Sequence, residues 1–219
     1  MAQIKFRMAS IAVVLAFLGL ITQSESATCQ TEKEIRGLPN FGRVTDTLFR
    51  GGQPTSAGFN TLRDMGVGLV INFRDERAEM AMEKREVESL GIKYVGIPWS
   101  GHDEPSNAQV VEFLDLIRAN RNTKIFVHCK RGADRTGIMV AAYRIAVEHE
   151  PVSQAISEMY QFHYAGFWLP QLKRYVESVP ALLQKDVRLS AYNSAPSSPL
   201  ATGDRIVAPM ATATPNGTR

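Results

Sequence analysis

The 219-residue chain holds only two cysteines, Cys29 and Cys129. Two thiols close at most one disulfide, which excludes a disulfide-stapled scaffold. Histidine is scarce as well, and His149 and His163 have no Cys or His companions at ligand spacing, so a metal centre is not expected. No basic run interleaved with aromatics occurs, and a formal net charge of +3 is mild. Nucleic acid is therefore not the expected partner, whereas an anionic small substrate is compatible with this balance. The apolar run Ile11 to Ile21 is shorter than a transmembrane helix requires. No internal repeat is present.

That apolar run has a different reading. Lys5 and Arg7 form a positive leader before it, and Ser24 and Ser26 are small residues at the −3 and −1 positions of a cut before Ala27. Residues 1–26 therefore read as a signal peptide, with the mature protein secreted or periplasmic and without a stable membrane span after cleavage. The remainder is long enough for one domain with a sizeable core. Cys29, in the expected leader of the mature chain, reads as a bystander.

The chain is organised around His128-Cys129-Lys130-Arg131-Gly132-Ala133-Asp134-Arg135-Thr136-Gly137. The apolar run Ile125 to Val127 leads in and a helix-like run, Ile138 to Val147, leads out. Strand, tight loop and helix make a phosphate cradle, because loop N–H groups and the helix's positive end converge on one point. A thiol placed there is favoured as a thiolate, the nucleophilic form. The spacing from Cys129 to Arg135 lets the loop curl back and set a guanidinium above the sulfur, where it grips two phosphate oxygens in a planar fork. Gly132 permits a positive φ and Gly137 a close approach to the following helix. Thr136 can donate its hydroxyl to the sulfur as a leaving thiolate. Lys130, Arg131, Gly132, Ala133, Asp134 and Arg135 supply the phosphate-binding surface, and neither cofactor nor metal is required.

This motif, Cys129, five intervening residues, Arg135 and Thr136, resembles the signature of cysteine-dependent protein tyrosine and dual-specificity phosphatases. The wording HCKRGADRTG is most similar to the small dual-specificity-like branch, which includes bacterial tyrosine phosphatases and fungal and plant enzymes acting on phosphotyrosine or inositol pyrophosphates. The resemblance implies a metal-independent phosphomonoesterase working through a phosphocysteine. It implies a phosphorylated protein or an inositol phosphate as substrate. A phosphate-binding module without catalysis, a sulfurtransferase and an arsenate reductase are the competing classes. Intact Cys129, Arg135 and Thr136 argue against the first of these, and the lack of a well-placed resolving cysteine argues against the last.

Along the chain, Val44 to Leu48 carries β character and Arg50-Gly51-Gly52-Gln53-Pro54 carries turn chemistry. Thr55 or Ser56 caps a short helix through Met65. Leu69 to Phe73 is a buried strand that ends at Arg74-Asp75-Glu76. Glu79 to Leu90 is an amphipathic helix with Met80, Met82, Val87 and Leu90 as its core members. Ile92 to Ile97 is the next strand, and Ser106 caps the helix after it. The alternation implies an α/β fold: a single three-layer domain, its central, mostly parallel sheet flanked by helices. Ligands then bind beyond the carboxyl ends of the strands, which gathers Arg74-Asp75, His102-Asp103 and Cys129 on one rim.

A phosphatase needs a general acid for the leaving oxygen. Asp103, in the Gly/Pro-bounded loop after a strand, fits by position, with Glu104 as its neighbour. The family's usual Trp-Pro-Asp order is absent, since Pro98-Trp99 comes earlier. Asp134 is the second candidate, because an Asp directly before the Arg resembles the loop of myotubularin- and Sac-type phosphatases. Arg50 resembles a residue near the site in this family, and a solvated turn is its competing reading. After the cradle, Ser153 is expected to cap a further helix. Leu169 to Leu183 forms the last one, with Phe167, Trp168 and Tyr175 in the core. The phosphatase domain is expected to span residues 27–185. From Asp186 the Ala, Ser, Pro and Thr content predicts a disordered tail, residues 186–219.

Overall fold

A computed structural model describes residues 35–193. The expected signal peptide and Cys29 lie outside the described residues. The elements are β1 (Gly42–Arg43), β2 (Leu48–Gly51), α1 (Ser56–Asp64), β3 (Val67–Asn72), α2 (Arg77–Ser89), β4 (Lys93–Gly96), α3 (Asn107–Ala119), β5 (Lys124–His128), α4 (Asp134–Ala146), α5 (Val152–Gln161) and α6 (Pro170–Lys185). The sheet order is β1-β2-β5-β3-β4. Only the β1–β2 pair is antiparallel; the β2–β5, β3–β5 and β3–β4 pairs are parallel.

Period-2 alternation builds three layers. Leu69, Ile71, Phe73, Ile125 and Val127 point to one face, where they pack with Phe113 of α3, Ile138 of α4, Met159 of α5 and Leu172 of α6. Val67, Val70 and Phe126 point to the other, against Phe59 and Leu62 of α1 and Val87 of α2. The α/β architecture with a mostly parallel sheet is as the alternation of elements implies. Every residue of α4 except Arg144 is buried, so this helix sits in the core.

The caps explain where helices start. Thr55 accepts from Gly58 N at the start of α1. Ser106 and Gln109 form a reciprocal capping box on α3. By contrast, α4 begins at Ala133 without a side-chain cap. Ser153 does not cap α5: the helix starts one residue earlier, after Pro151, whose fixed φ prepares the first turn. Val44 to Thr47 is a turn, with Thr45 Oγ1 accepting from Leu48 N at 2.9 Å, so the strand begins where the β-like run was expected to end. His149 and His163 both adopt positive φ, 57° and 65°, just past α4 and α5.

Two expectations about the core and the boundary need correction. Met82 is 57% exposed, because it falls on the solvent side of α2 while Glu83 turns inward. Folded structure also continues beyond 185: a short 3-10 turn, Ser190–Tyr192, follows α6. Leu189 and Tyr192 are buried in the core, and Tyr192 Oη donates to Asp115 Oδ1 at 2.5 Å. Two apolar anchors override the low-complexity composition around them, so the expected tail is packed at least through Tyr192. Among the described residues no helix is long and apolar enough to cross a membrane.

Candidate active site

β5 lies at the centre of the sheet and delivers Cys129 at its carboxyl end, where the sulfur is buried, 3% exposed. The loop then turns into α4. Gly132 has φ +73°, and a Cβ there would lie 2.3 Å from the Gly51 carbonyl carbon. Both conditions require glycine, as the sequence predicts. At Gly137 a Cβ would meet nothing closer than 3.5 Å, ordinary contact with Met159, so close helix approach is not its reason. The N–H groups of Lys130, Arg131, Gly132 and Ala133 donate to no acceptor among the described residues. Together with the uncapped N-terminus of α4 they form a ring of uncommitted donors, the cradle expected for an oxyanion.

A pocket of about 310 Å³ opens here, lined by Gly101, His102, Cys129, Lys130, Arg131, Asp134, Arg135 and Leu169. The Cys129 thiol and the Arg135 guanidinium thus share one volume. Arg135 Nη1 donates to Asp75 Oδ1 at 2.6 Å and to the Trp99 carbonyl at 2.9 Å. Its Nε and Nη2 are uncommitted among the described residues, which leaves one edge of the fork open. Thr136 is fully buried, and its hydroxyl has no partner among the described residues.

The two acid candidates differ sharply. Asp134 is buried, and both its oxygens are engaged: Oδ2 accepts from Arg131 Nη2 at 2.5 Å and Oδ1 from Ala165 N at 3.0 Å. It fastens the cradle to the loop after α5. Asp103 is exposed, and its side chain makes no hydrogen bond among the described residues; its N–H donates to the Ser100 carbonyl. It adjoins Gly101 and His102, which line the pocket, but does not line it itself. Gly132 and Ala133 sit behind the lining residues. The rim inferred from topology forms: residues after β3, β4 and β5 meet at Arg135.

The support beneath the cradle was mostly illegible in sequence. Arg50 is fully buried and not solvated. Its Nη2 donates to the Gly132 carbonyl at 3.1 Å, its guanidinium stacks on Phe162 at 3.9 Å, and Glu158 lies 3.5 Å from Nη1. Burial pulls its pKa down to about 10, with Glu158 opposing. The turn after it packs on the loop backbone, with Gln53 N donating to the Lys130 carbonyl.

Glu83 is the other missed residue. Its Oε1 lies 2.7 Å from His128 Nε2, and its Oε2 accepts from Gln53 Nε2 and Asn72 Nδ2, each at 2.9 Å. A carboxylate with three partners is buried beside His128, the residue that precedes Cys129. Only its neighbours' fold makes it internal; the charges around it on α2 face solvent.

A recessed cysteine, an arginine with one open edge and a ring of free N–H groups, on this sheet, are the arrangement that the resemblance to cysteine-dependent phosphatases implies. A family model described as a DSP-PTPase phosphatase fused to NAD+ kinase matches residues 22–168, and the chain belongs to this family. The dual specificity protein phosphatase TpbA of Pseudomonas aeruginosa (strain UCBPP-PA14) is 30% identical over 123 residues, covering 55% of this chain and 53% of that protein. The chain thus spans about half the length of this relative. The inositol diphosphatase DSP3 of Arabidopsis thaliana is 26% identical over 156 residues, covering 69% of this chain and 75% of that protein. A crystal structure of P. aeruginosa TpbA in complex with phosphotyrosine shares the fold, with TM-score 0.58 and 22% identity over 74% of this chain and all of that one.

Proposed function

We propose that the chain is an exported phosphomonoesterase of the tyrosine and dual-specificity type, acting through a phosphocysteine on Cys129. The observation that carries this reading is one pocket lined by both Cys129 and Arg135 beside N–H groups with no acceptor among the described residues. In the first step Cys129 Sγ attacks phosphorus. The S–P bond forms, the P–O ester bond breaks, and Asp103 gives its proton to the departing oxygen. Arg135 Nε and Nη2 and the cradle N–H groups hold the equatorial oxygens, whose charge grows in the transition state. In the second step water attacks phosphorus and passes its proton to Asp103, and the P–S bond breaks. Thr136 donates its hydroxyl to the leaving sulfur. Asp103 is preferred to Asp134 because the Asp134 oxygens are already engaged within the loop.

Phosphotyrosine in a protein is the favoured substrate, in keeping with the TpbA likeness. The second reading, an inositol polyphosphate, draws on the relationship to an inositol diphosphatase and on Lys130, which is exposed on the pocket rim. Arg131 adds less to it, since it is paired with Asp134. Export rests on the leader-like residues 1–26. Phosphate release by residues 27–219, reducing and with a chelator, tests the reading on an aryl phosphate, a phosphotyrosine peptide, a phosphoserine peptide, a phosphoinositide and an inositol polyphosphate. Release that Cys129→Ser abolishes is expected, led by phosphotyrosine. Failure on every substrate with the fold intact would leave a phosphate binder or another cysteine chemistry.

A further inference from the structure

The loop between α5 and α6 presents Phe167 and Trp168 to solvent, at 86% and 78% exposure. Their rings meet edge to face with centroids 5.0 Å apart. Both were expected in the core, and the structure places them in water instead. Large adjacent aromatics held outside a core mark a contact surface.

The loop that carries them is tethered on every side. Ala165 N donates to Asp134 Oδ1 in the cradle. Trp168 N and Leu169 N both donate to the Ala165 carbonyl at 3.0 Å. The Tyr164 hydroxyl donates to the Leu169 carbonyl. Gln171 Nε2 donates to the His102 carbonyl at 2.7 Å. The next side chain, Leu169, lines the pocket. The aromatic pair thus directly precedes a residue that lines the cysteine pocket and belongs to a segment bonded to Asp134 of the cradle loop.

We propose that Phe167 and Trp168 form a lip that packs on the aryl body of the substrate and selects phosphotyrosyl residues over alkyl and inositol phosphates. This rests on the phosphatase reading of the same pocket. The cradle and Arg135 handle the phosphate end of any ester equally. Leu169 is the one large apolar side chain in the pocket lining, so discrimination must come from what lies just outside it. A phenyl ring leaving the pocket meets two aromatic faces and edges, which favour offset or edge-to-face contact. An inositol polyphosphate carries charge around its ring and gains nothing there. An anionic membrane surface is the competing occupant.

Two readouts test the lip. In turnover, Trp168→Ala and Phe167→Ala should each lower the preference for phenyl phosphate and phosphotyrosine peptide over an alkyl phosphate by about three- to tenfold in kcat/KM, mostly through KM, with Trp168→Phe restoring most of it. In binding, the other tryptophan, Trp99, touches Arg135 through its carbonyl, so the Trp168 signal is taken as the difference in emission between Cys129→Ser and Cys129→Ser/Trp168→Phe, and that difference should respond to phenyl phosphate. It should not respond to an inositol polyphosphate. An unaltered aryl preference in both alanine variants would overturn the proposal. So would loss of phosphatidylglycerol vesicle binding in those variants with the preference intact, which would assign the pair to a membrane. If the wild type turns over nothing, the phosphatase reading fails by itself and the fluorescence titration still decides the lip.

Discussion

The Arg50 guanidinium lies beneath the loop of residues 129–133 with its Nη2 3.1 Å from the Gly132 carbonyl oxygen. That bond ties the end of β2 to the one loop residue with positive φ. It turns the Gly132 carbonyl down toward Arg50. The arrangement has a cost, because a fully buried guanidinium loses hydration and Glu158 compensates only partly.

The first prediction separates activity from stability. Burial depresses the folded-state pKa of Arg50 to about 10, below the ordinary guanidinium value. Below pH 10 both folded and unfolded chains carry the charge, and the folded one carries it at a penalty. As pH rises from about 10 toward the ordinary guanidinium value the folded state releases the proton first, so that penalty fades and stability rises. Arg50→Met should lower kcat about tenfold or more and cost about 1–3 kcal/mol of stability at neutral pH, because relief of the desolvation penalty only partly offsets the unpaired Gly132 carbonyl. Thermal melts beside steady-state rates check it; a large fall in Tm with normal kcat would contradict it.

Glu83 behaves in the opposite way. Its carboxylate receives Gln53, Asn72 and His128 in a buried site. Glu83→Gln replaces one acceptor oxygen with an NH2 that faces donors. The expected loss is about 1–3 kcal/mol of stability, the usual consequence of leaving buried polar groups unpaired. Urea unfolding measures it, and a change below about 0.5 kcal/mol would show that the network adapts.

The acid limb of stability should depend on Glu76. The Arg74 Nε donor, 3.0 Å away, holds its pKa near about 2, below the usual 4.5. A depressed carboxylate stabilises the fold above the unfolded value, and that contribution disappears as pH falls from 4.5 through 2. Because the Glu76 side chain is 35% exposed, screening reduces the gain to about 1 kcal/mol. Glu76→Gln should remove this part of the acid dependence in pH-resolved melts. An unchanged profile between pH 5 and 2 (about the span of the titration) would place the acid sensitivity elsewhere.

The general acid is decided by pH–rate profiles. Asp103→Asn should flatten the basic limb and lower kcat about 10²-fold or more for poor leaving groups. Asp134→Asn should instead loosen the loop, raising KM through the lost Arg131 and Ala165 contacts. If the flattened limb belongs to Asp134→Asn, the roles are reversed.

Legibility followed locality. The cradle could be read because its chemistry lies in consecutive residues: Cys129, Gly132, Arg135 and Thr136 carry their meaning in their spacing. The parallel sheet and its functional rim followed from alternating strand and helix signals. Residues whose role depends on long-range contacts could not be read. Glu83 sits in a run of solvated charges, and only packing against Asn72 and His128 makes it internal. Arg50 lies in turn-forming sequence yet is buried through Phe162 and Glu158, more than 100 residues away. Phe167 and Trp168 look like core by composition because an exposed aromatic pair has no sequence signal. Leu189 and Tyr192 were hidden by a polar surround.

The central claim is that Cys129 carries the phosphoryl group. Rapid quenching of the protein with a phosphate-labelled aryl substrate, followed by peptide mapping, addresses it directly. The account predicts alkali-stable label on the peptide containing Cys129, increased in Thr136→Val and absent in Cys129→Ser. Full turnover by Cys129→Ser, or label on any other residue, would contradict it.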